Sequence, residues 1–403
     1  TWISASSFPI CPSLNSLSGM LYRMKQNAVG LANICVLSTM VLVMISSTSS
    51  LMFGMEDSIR SRYPNDFSLY IQEDKERSQE IIRQIGELLE RRKLQVTDSM
   101  EYTYLRIPCV QQEDSFQMFQ ADSASAPDSF ATLTFLTLAD YNTVMGTDET
   151  MQEDEILLYA NRSAYDNPSL NVLGRDFSIK KTLKLFPGNG IIAANASNGY
   201  FLVVRDKQQL EQLYQRQKEI LAGQAAEYQY YYGFDTDAGK EEQEAFYREL
   251  QEQLYPEEFQ GTVESRQEAR PGFVGLYGSF FFLGAFLGVL FLMAAVLIIY
   301  YKQISEGFDD KERYAIMQKV GLSRQEVRAS IRSQVLTVFF LPLAAAGLHV
   351  AAAFPMISKL LKLLNLLNTR LFVFCTVGSY LAFAVMYVLV YLLTARTYYR
   401  LVR

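Results

Sequence analysis

Apolar positions in this chain follow two rhythms. In residues 28–53, 273–301, 335–357 and 371–395 they continue for a membrane-length distance, without one Asp, Glu, Lys or Arg. A helix needs about 20 mostly apolar residues to cross a hydrocarbon core, so each run predicts a transmembrane helix. Between the first and second runs the rhythm changes. DFSLYI, VTDSMEYTYLRI, ATLTFLTL, EILLYA, FSIKKTLKLF, IIAANASNGYFLVV and AEYQYYYGF are rich in β-branched and aromatic residues and predict strands. Residues 74–93, KQQLEQLYQRQKEILAG and GKEEQEAFYRELQEQL predict amphipathic helices; in the first, Ile81, Ile85, Leu88 and Leu89 fall at helical spacing. Strand and helix runs alternate, so the expected architecture is an α-helical membrane protein with four transmembrane helices. A large extracellular α+β domain, residues 54–272, is inserted between the first and second.

Charge sharpens this division. The chain carries 37 Lys and Arg against 43 Asp and Glu, a net −6. Residues 54–272 alone hold 38 acidic and 22 basic residues, while the remainder holds 5 acidic and 15 basic. So unequal a split indicates two compartments. Arg23 and Lys25 precede the first apolar run, and seven basic residues lie in 302–332. Arg396, Arg400 and Arg403 follow the fourth, whereas the short connection between the third and fourth has Lys359, Lys362 and Arg370. The bias of short cytoplasmic loops toward Lys and Arg places both termini and segment 302–334 in the cytoplasm, with the acidic region outside. Residues 1–27 read as a leader or cytoplasmic segment and residues 396–403 as a cytoplasmic tail. The opening Thr and the lack of a signal-peptide pattern suggest the C-terminal part of a longer membrane protein.

Candidate chemistry changes the picture by what is missing. The single His, His349, lies inside the third apolar run, so the acidic region has no histidine for a Ser-His or zinc site. In that run a neutral, hydrogen-bonded role is expected, because the four runs contain no acidic partner for a proton relay. No phosphate-cradling loop occurs: at Gly239-Lys240 the next residue is Glu241, and Phe234 stands where the leading glycine would be. Four cysteines, of which only Cys109 falls in the acidic region, predict no bridge there. The cluster Tyr228, Tyr230, Tyr231, Tyr232 reads as a strand with one buried face, with a binding surface as the alternative. Gly284 and Gly288 form a G-x-x-x-G step suited to close helix packing, and Pro342 is expected to kink the third helix.

Segment 302–332, KQISEGFDDKERYAIMQKVGLSRQEVRASIR, carries both signs of charge between two apolar runs. Asp309, Asp310 and Glu312 suit a helix start. Ile316, Met317 and Val320 make an apolar patch, Gly321 suits a helix end, and Ser323-Arg-Gln-Glu326 reads as a capping box. The expectation is a short helix, a turn and a second helix, serving as a docking surface for a cytoplasmic partner. A helix lying on lipid headgroups is the simpler alternative, and the mixed signs weigh against it.

Here the residues resemble a known family. Lys311-Glu-Arg-Tyr-Ala-Ile316 followed by Gly321-Leu-Ser-Arg-Gln-Glu326-Val is similar to the cytoplasmic helix of FtsX/MacB-type ABC permeases. With MLYRMKQNAVGLANICVLSTMVLVM and LADYNTVMG before EILLYA, the match resembles the C-terminal half of the bacitracin- and lantibiotic-resistance permeases of Gram-positive bacteria. It extends over most of residues 18–403 and is weakest in the acidic region. The resemblance implies a ten-span permease of which this chain supplies spans seven to ten. It implies a separate ABC ATPase pair that binds the ATP, leaving this chain with no cofactor and no ATPase site of its own. It implies mechanical transmission to the outer domain, with a peptide antibiotic or a lipid-linked cell-wall precursor as ligand. A sensor histidine kinase is a further implied partner, and nucleic acid is not. The coupling role falls on Glu306, Asp309, Asp310, Lys311, Glu312, Arg313 and Gly321. The alternatives are an FtsX-like regulator of cell-wall hydrolases and a membrane receptor or signalling scaffold without transport.

Overall fold

A computed structural model describes residues 28–401 except 73–74, 119–128, 162–164, 185, 187–189, 191–196, 222–224, 256–258, 320–323, 365 and 367. Residues 1–27, with Arg23 and Lys25, therefore lie outside the described residues, as do Asn195, Val320, Gly321, Ser323 and Arg403. The chain divides into two compact units, one of them chiefly Met55–Gly275.

Helix α1, Ala28–Phe53, is the first apolar run. Helix α7, Arg266–Lys319, contains the second. The third and fourth lie in α8, Arg324–Leu363, and α9, Thr369–Leu401. All 4 are long and apolar enough to cross a membrane. Their shared core joins Ile34, Val41 and Leu42 of α1 to Ile299 of α7, Phe339, Leu343 and Ala346 of α8, and Phe383 and Tyr387 of α9. Outward, Phe282, Leu348 and Phe374 are 72%, 70% and 74% exposed. Large apolar groups turned away from a protein core fit a lipid-facing surface.

The structure corrects one expectation about segment 302–332. No helix starts near Asp309; the helix of the second run continues without a break to Lys319. Only Gly307 interrupts the helix formers there, and one interior glycine costs about 1 kcal/mol, too little to stop a helix already propagating. The dipole argument for Asp309, Asp310 and Glu312 therefore does not apply. A second helix does follow, beginning at Arg324. Pro342 and Pro355 both lie inside α8. Proline removes the donor to the carbonyl four residues earlier; one residue on, Tyr387 donates its hydroxyl to the Phe339 carbonyl at 3.0 Å.

The second unit opens with α2, Met55–Arg62, and strand β1, Phe67–Ile71. Helix α3, Lys75–Arg92, and the long strand β2, Val96–Gln112, follow. Next come β3, Ser115–Met118, β4, Phe130–Thr137, and the short helix α4, Leu138–Met145. Strands β5, Glu155–Ala160, β6, Ser169–Val172, β7, Arg175–Leu183, and β8, Asn198–Val204, lead to α5, Lys207–Leu221. The unit ends with β9, Tyr228–Thr236, α6, Lys240–Leu254, and β10, Gly261–Ser265. The 10 strands form one sheet in the order β10-β1-β9-β2-β3-β6-β7-β5-β8-β4, and β2 also pairs with β4, so the strands from β2 round to β4 close on themselves.

Three apolar clusters hold this unit together. Leu105, Leu133, Phe135, Leu158, Val172 and Leu202 share one with Leu210, Leu213 and Tyr214 of α5. Tyr102, Tyr104, Tyr159, Phe201 and Tyr231 share the second. In the third, Phe67, Leu69 and Phe234 pack under Ile81, Ile85, Leu88 and Leu89 of α3 and Phe246 and Leu250 of α6. The helical spacing expected of α3 is the face it buries. Cys109 is buried, and burial pushes its thiol up to about 12.

Candidate functional site

Of the residues assigned to coupling, Glu306, Asp309, Asp310, Lys311, Glu312 and Arg313 all lie on the C-terminal turns of α7. Lys311 is exposed, and for the other five the structure describes the backbone alone. Gly321 lies outside the described residues. On a helix, residues 306, 309, 310 and 313 recur at three- and four-residue steps and share one face.

The glycine step sits against α1. A Cβ on Gly284 would lie 2.5 Å from Thr48 Oγ1 and 2.7 Å from Thr48 Cγ2, and one on Gly288 would lie 3.1 Å from Ile45 Cδ1. Only glycine lets the two backbones approach this closely. His349 Nδ1 lies 3.4 Å from Thr39 Oγ1 and 3.6 Å from Cys35 Sγ. The Thr39 hydroxyl also reaches the Cys35 carbonyl at 2.8 Å.

Sequence reasoning missed an ionic cluster where the sheet leads into α7. Arg266, the first residue of that helix, donates to the Tyr63 carbonyl at 2.8 Å, to Asp66 Oδ1 at 2.9 Å and to the Pro64 carbonyl. Asp66 in turn accepts from the Thr236 amide and from Gln243, each at 3.1 Å, and its own amide donates to Asp235 Oδ1 at 2.6 Å. Next to this, Arg62 grips Glu264 with both guanidinium arms, one at 2.6 Å. One turn along α7, Arg270 pairs with Glu56 at 2.8 Å, and Glu56 also holds Arg60 at 3.2 Å. Burial raises the Glu56 carboxyl, but the bonds and charges of Arg270 and Arg60 outweigh it and hold that group below its usual range. Asp235 is pushed up, first by burial and then by the Asp66 charge, against the amide bond from Asp66 and the pull of Arg266.

A second place has the shape of a ligand site. A cleft of about 610 Å³ is lined by residues of β2, α4, α5 and β9, among them Thr103, Asp140, Lys207, Leu210, Glu211, Glu227, Tyr228 and Tyr230. That size falls in the usual range for small-molecule pockets. The tyrosine run forms it through strand alternation. Tyr231 turns into the core and is fully buried, while Tyr228 and Tyr230 turn the other way and remain half-buried. The cluster is a strand with Tyr231 on its buried face. The Tyr228 hydroxyl donates to Glu211 at 2.9 Å, and the Tyr230 hydroxyl donates to Glu101 at 2.5 Å. Burial, and then these carboxylate acceptors, push both phenols well above their usual value. Tyr214 packs against Tyr228 in a tilted pair with ring centroids 4.7 Å apart and donates to Glu227. Asp140 is tied to its own helix start, accepting from the Thr137 hydroxyl at 2.8 Å. Among the described residues no group of His, Cys, Asp and Glu is arranged to hold a metal.

In sequence, this chain is similar to ABC transporter permeases. A bacitracin export permease of Halalkalibacterium halodurans is 23% identical over 338 residues, 83% of this chain and 50% of that protein. ABC transporter permease protein YxdM of Bacillus subtilis is 33% identical over 72 residues, 18% of this chain and 12% of the relative. Bacitracin export permease BceB of Bacillus subtilis is 32% identical over 85 residues, 21% and 13% respectively. This chain therefore spans about half the length of one of these relatives and less of the others. No family model matches it.

Proposed function

From its kinship with ABC transporter permeases, the bacitracin export permeases among them, we propose that this chain is a permease subunit that couples ATP hydrolysis by a separate cytoplasmic ATPase to its sheet-rich domain. The observation that carries this reading is the charged run from Lys302 to Arg332. Its residues are helical up to Lys319 and again from Arg324, and they join two membrane-length helices. A helical, two-signed segment held directly against the bilayer is a surface on which a soluble motor can push. The chain carries no phosphate-binding loop, so the energy comes from a partner. In this reading the sheet-rich unit faces the exterior and handles peptide antibiotics of the bacitracin and lantibiotic kind, or their lipid-linked targets. A sensor kinase that reads the transport state fits the same arrangement.

The test falls on the coupling residues. A surface charge pair contributes about 0–1 kcal/mol to a fold, so a coupling role predicts a double variant that still folds. At an interface, losing one partner of a desolvated pair costs roughly 2–5 kcal/mol of binding. Glu312→Ala with Arg313→Ala, made in the full-length permease, is expected to keep normal membrane levels and lose both ATPase association and peptide resistance. Pull-down of the ATPase and growth under bacitracin check this. A well-expressed double variant that still holds the ATPase and still protects would refute the coupling role.

A further inference from the structure

The tyrosine-lined cleft lies within the sheet-rich unit, and its chemistry selects a ligand class. Among the described residues its lining carries Asp140, Glu211 and Glu227 against one cation, Lys207, with Lys218 paired to Glu227 from beside the lining, while Glu101 stands behind the Tyr230 hydroxyl. Between these charges the lining holds Tyr228, Tyr230 and Leu210, with the neutral polar Gln72, Ser78, Thr103, Thr137 and Gln229 beside them. Carboxylates backed by aromatic faces attract organic cations twice, through charge and through the negative face of the ring.

The molecule contains an internal example of such recognition beside the cleft. Lys218 places its ammonium 4.4 Å above the ring of Tyr214 and 3.7 Å from Glu227. Tyr214 is the ring that packs, tilted, against Tyr228. An ammonium, a tyrosine face and a carboxylate are therefore already assembled at the rim by the protein's own side chain. Toward the cleft, the Tyr228–Glu211 and Tyr230–Glu101 pairs repeat the aromatic and carboxylate parts of this arrangement.

We propose that the cleft binds an organic cation, a primary ammonium on an apolar stem. The ammonium sits between Glu211, Glu227 and the rings of Tyr228 and Tyr230, with the stem against Leu210. The site is defined by its own geometry. Only its exposure to the cell exterior rests on the permease reading, and probe binding is measured without any ATPase, so the two fail separately.

Such an ammonium has two ready sources, a lysine side chain of a peptide and an aminolipid headgroup. The full chain in neutral dodecyl maltoside is titrated by calorimetry with N-acetyl-lysyl-leucinamide, with the same peptide acetylated at the lysine amine, and with O-phosphoethanolamine. Saturable binding of the lysyl peptide, weakened by salt and absent for the acetylated peptide, is the expected result. Binding of phosphoethanolamine alone, with the same dependence on charge, identifies the headgroup as the source. Glu211 and Glu227 are exposed, so Glu211→Gln with Glu227→Gln leaves the unfolding temperature unchanged and weakens binding at least roughly tenfold. Tyr228→Leu, which removes the ring and keeps apolar bulk, weakens it independently. Binding that survives the double substitution, equal binding of the acetylated peptide, or no binding of either cation overturns the proposal.

Discussion

At the scale of single residues, the feature that most constrains this molecule is Arg266, 13% exposed at its side chain and matched by an equally buried Asp66. A buried guanidinium is tolerated only when its donors are satisfied, and here the 63–66 segment supplies two carbonyls and a carboxylate. The sequence could not reveal this, because the partners lie 200 residues apart and no local spacing marks them. Two carboxylates near this joint are shifted from their ordinary values in opposite directions. Glu56 has a depressed value in the folded state, so its stabilisation is present above its unfolded value and lost as pH falls through the folded one. Asp235 has a raised value, so its charge costs stability at neutral pH, and the cost disappears as pH falls through the raised value and on to the ordinary one. Asp235→Asn should therefore raise the unfolding temperature at pH 7, with the gain vanishing in acid below about pH 4. Glu56→Gln should lower it at pH 7 and match the parent in acid. Near-UV circular dichroism melts of the tyrosine-rich unit, recorded across that pH range, check both signs. A neutral-pH loss for Asp235→Asn would contradict the first.

Among elements, the apolar rhythms were legible wherever they were long. All four membrane-length helices and the three amphipathic helices fall where periodicity places them. What escaped was short or punctuated by atypical residues. Strands β3 and β6 have four residues each and join their neighbours through two-residue turns. One turn uses Glu113 at φ 55° and the other Leu173 at φ 53° with Gly174 at φ 84°. Positive φ at a Glu or a Leu is a conformation that neither residue type announces. Pro108 marks a strand end by its type, yet β2 runs through it to Gln112. ATLTFLTL was read as strand throughout, but the strand stops at Thr137, whose hydroxyl caps a helix starting at Leu138. The G-x-x-x-G step gives an element-scale prediction. Gly284→Val puts a methyl-bearing carbon onto Thr48, and overpacking of this kind costs about 1–3 kcal/mol. The detergent-solubilised chain should melt at a lower temperature. Thr48→Ala, which clears both the hydroxyl and the methyl, should restore part of the loss in the double variant and change little alone. Additive effects of the two substitutions would show that the residues do not meet.

For the whole molecule, the division of charge carries the widest consequence. An acidic stretch of some two hundred residues lies between two apolar runs, and the basic residues Arg23 and Lys25 and the seven of 302–332 adjoin the opposite ends of those runs. The structure gives the acidic stretch a folded core of its own, so its charge belongs to the surface of a domain and not to a disordered tail. The candidate coupling residues were legible as a charged run and its resemblance. The cleft was not, because Glu211, Tyr228 and Tyr230 meet only after β9 and α5 are brought together, and strand alternation alone does not show which face stays open. The charge division predicts that the sheet-rich unit is outside the cell and the 302–332 segment inside. The check is cysteine labelling in sealed cells with a membrane-impermeant maleimide. Native Cys109 is buried with its thiol pushed up to about 12, so it stays unreactive. Cys11, Cys35 and Cys375 are replaced by serine to clear the background. A single cysteine at Glu252, exposed on α6, should label in intact cells. One at Lys319, the last residue of α7, should label only after the cells are permeabilised. Labelling at Lys319 in intact cells would invert the topology. It would also put the proposed coupling segment out of reach of any cytoplasmic ATPase.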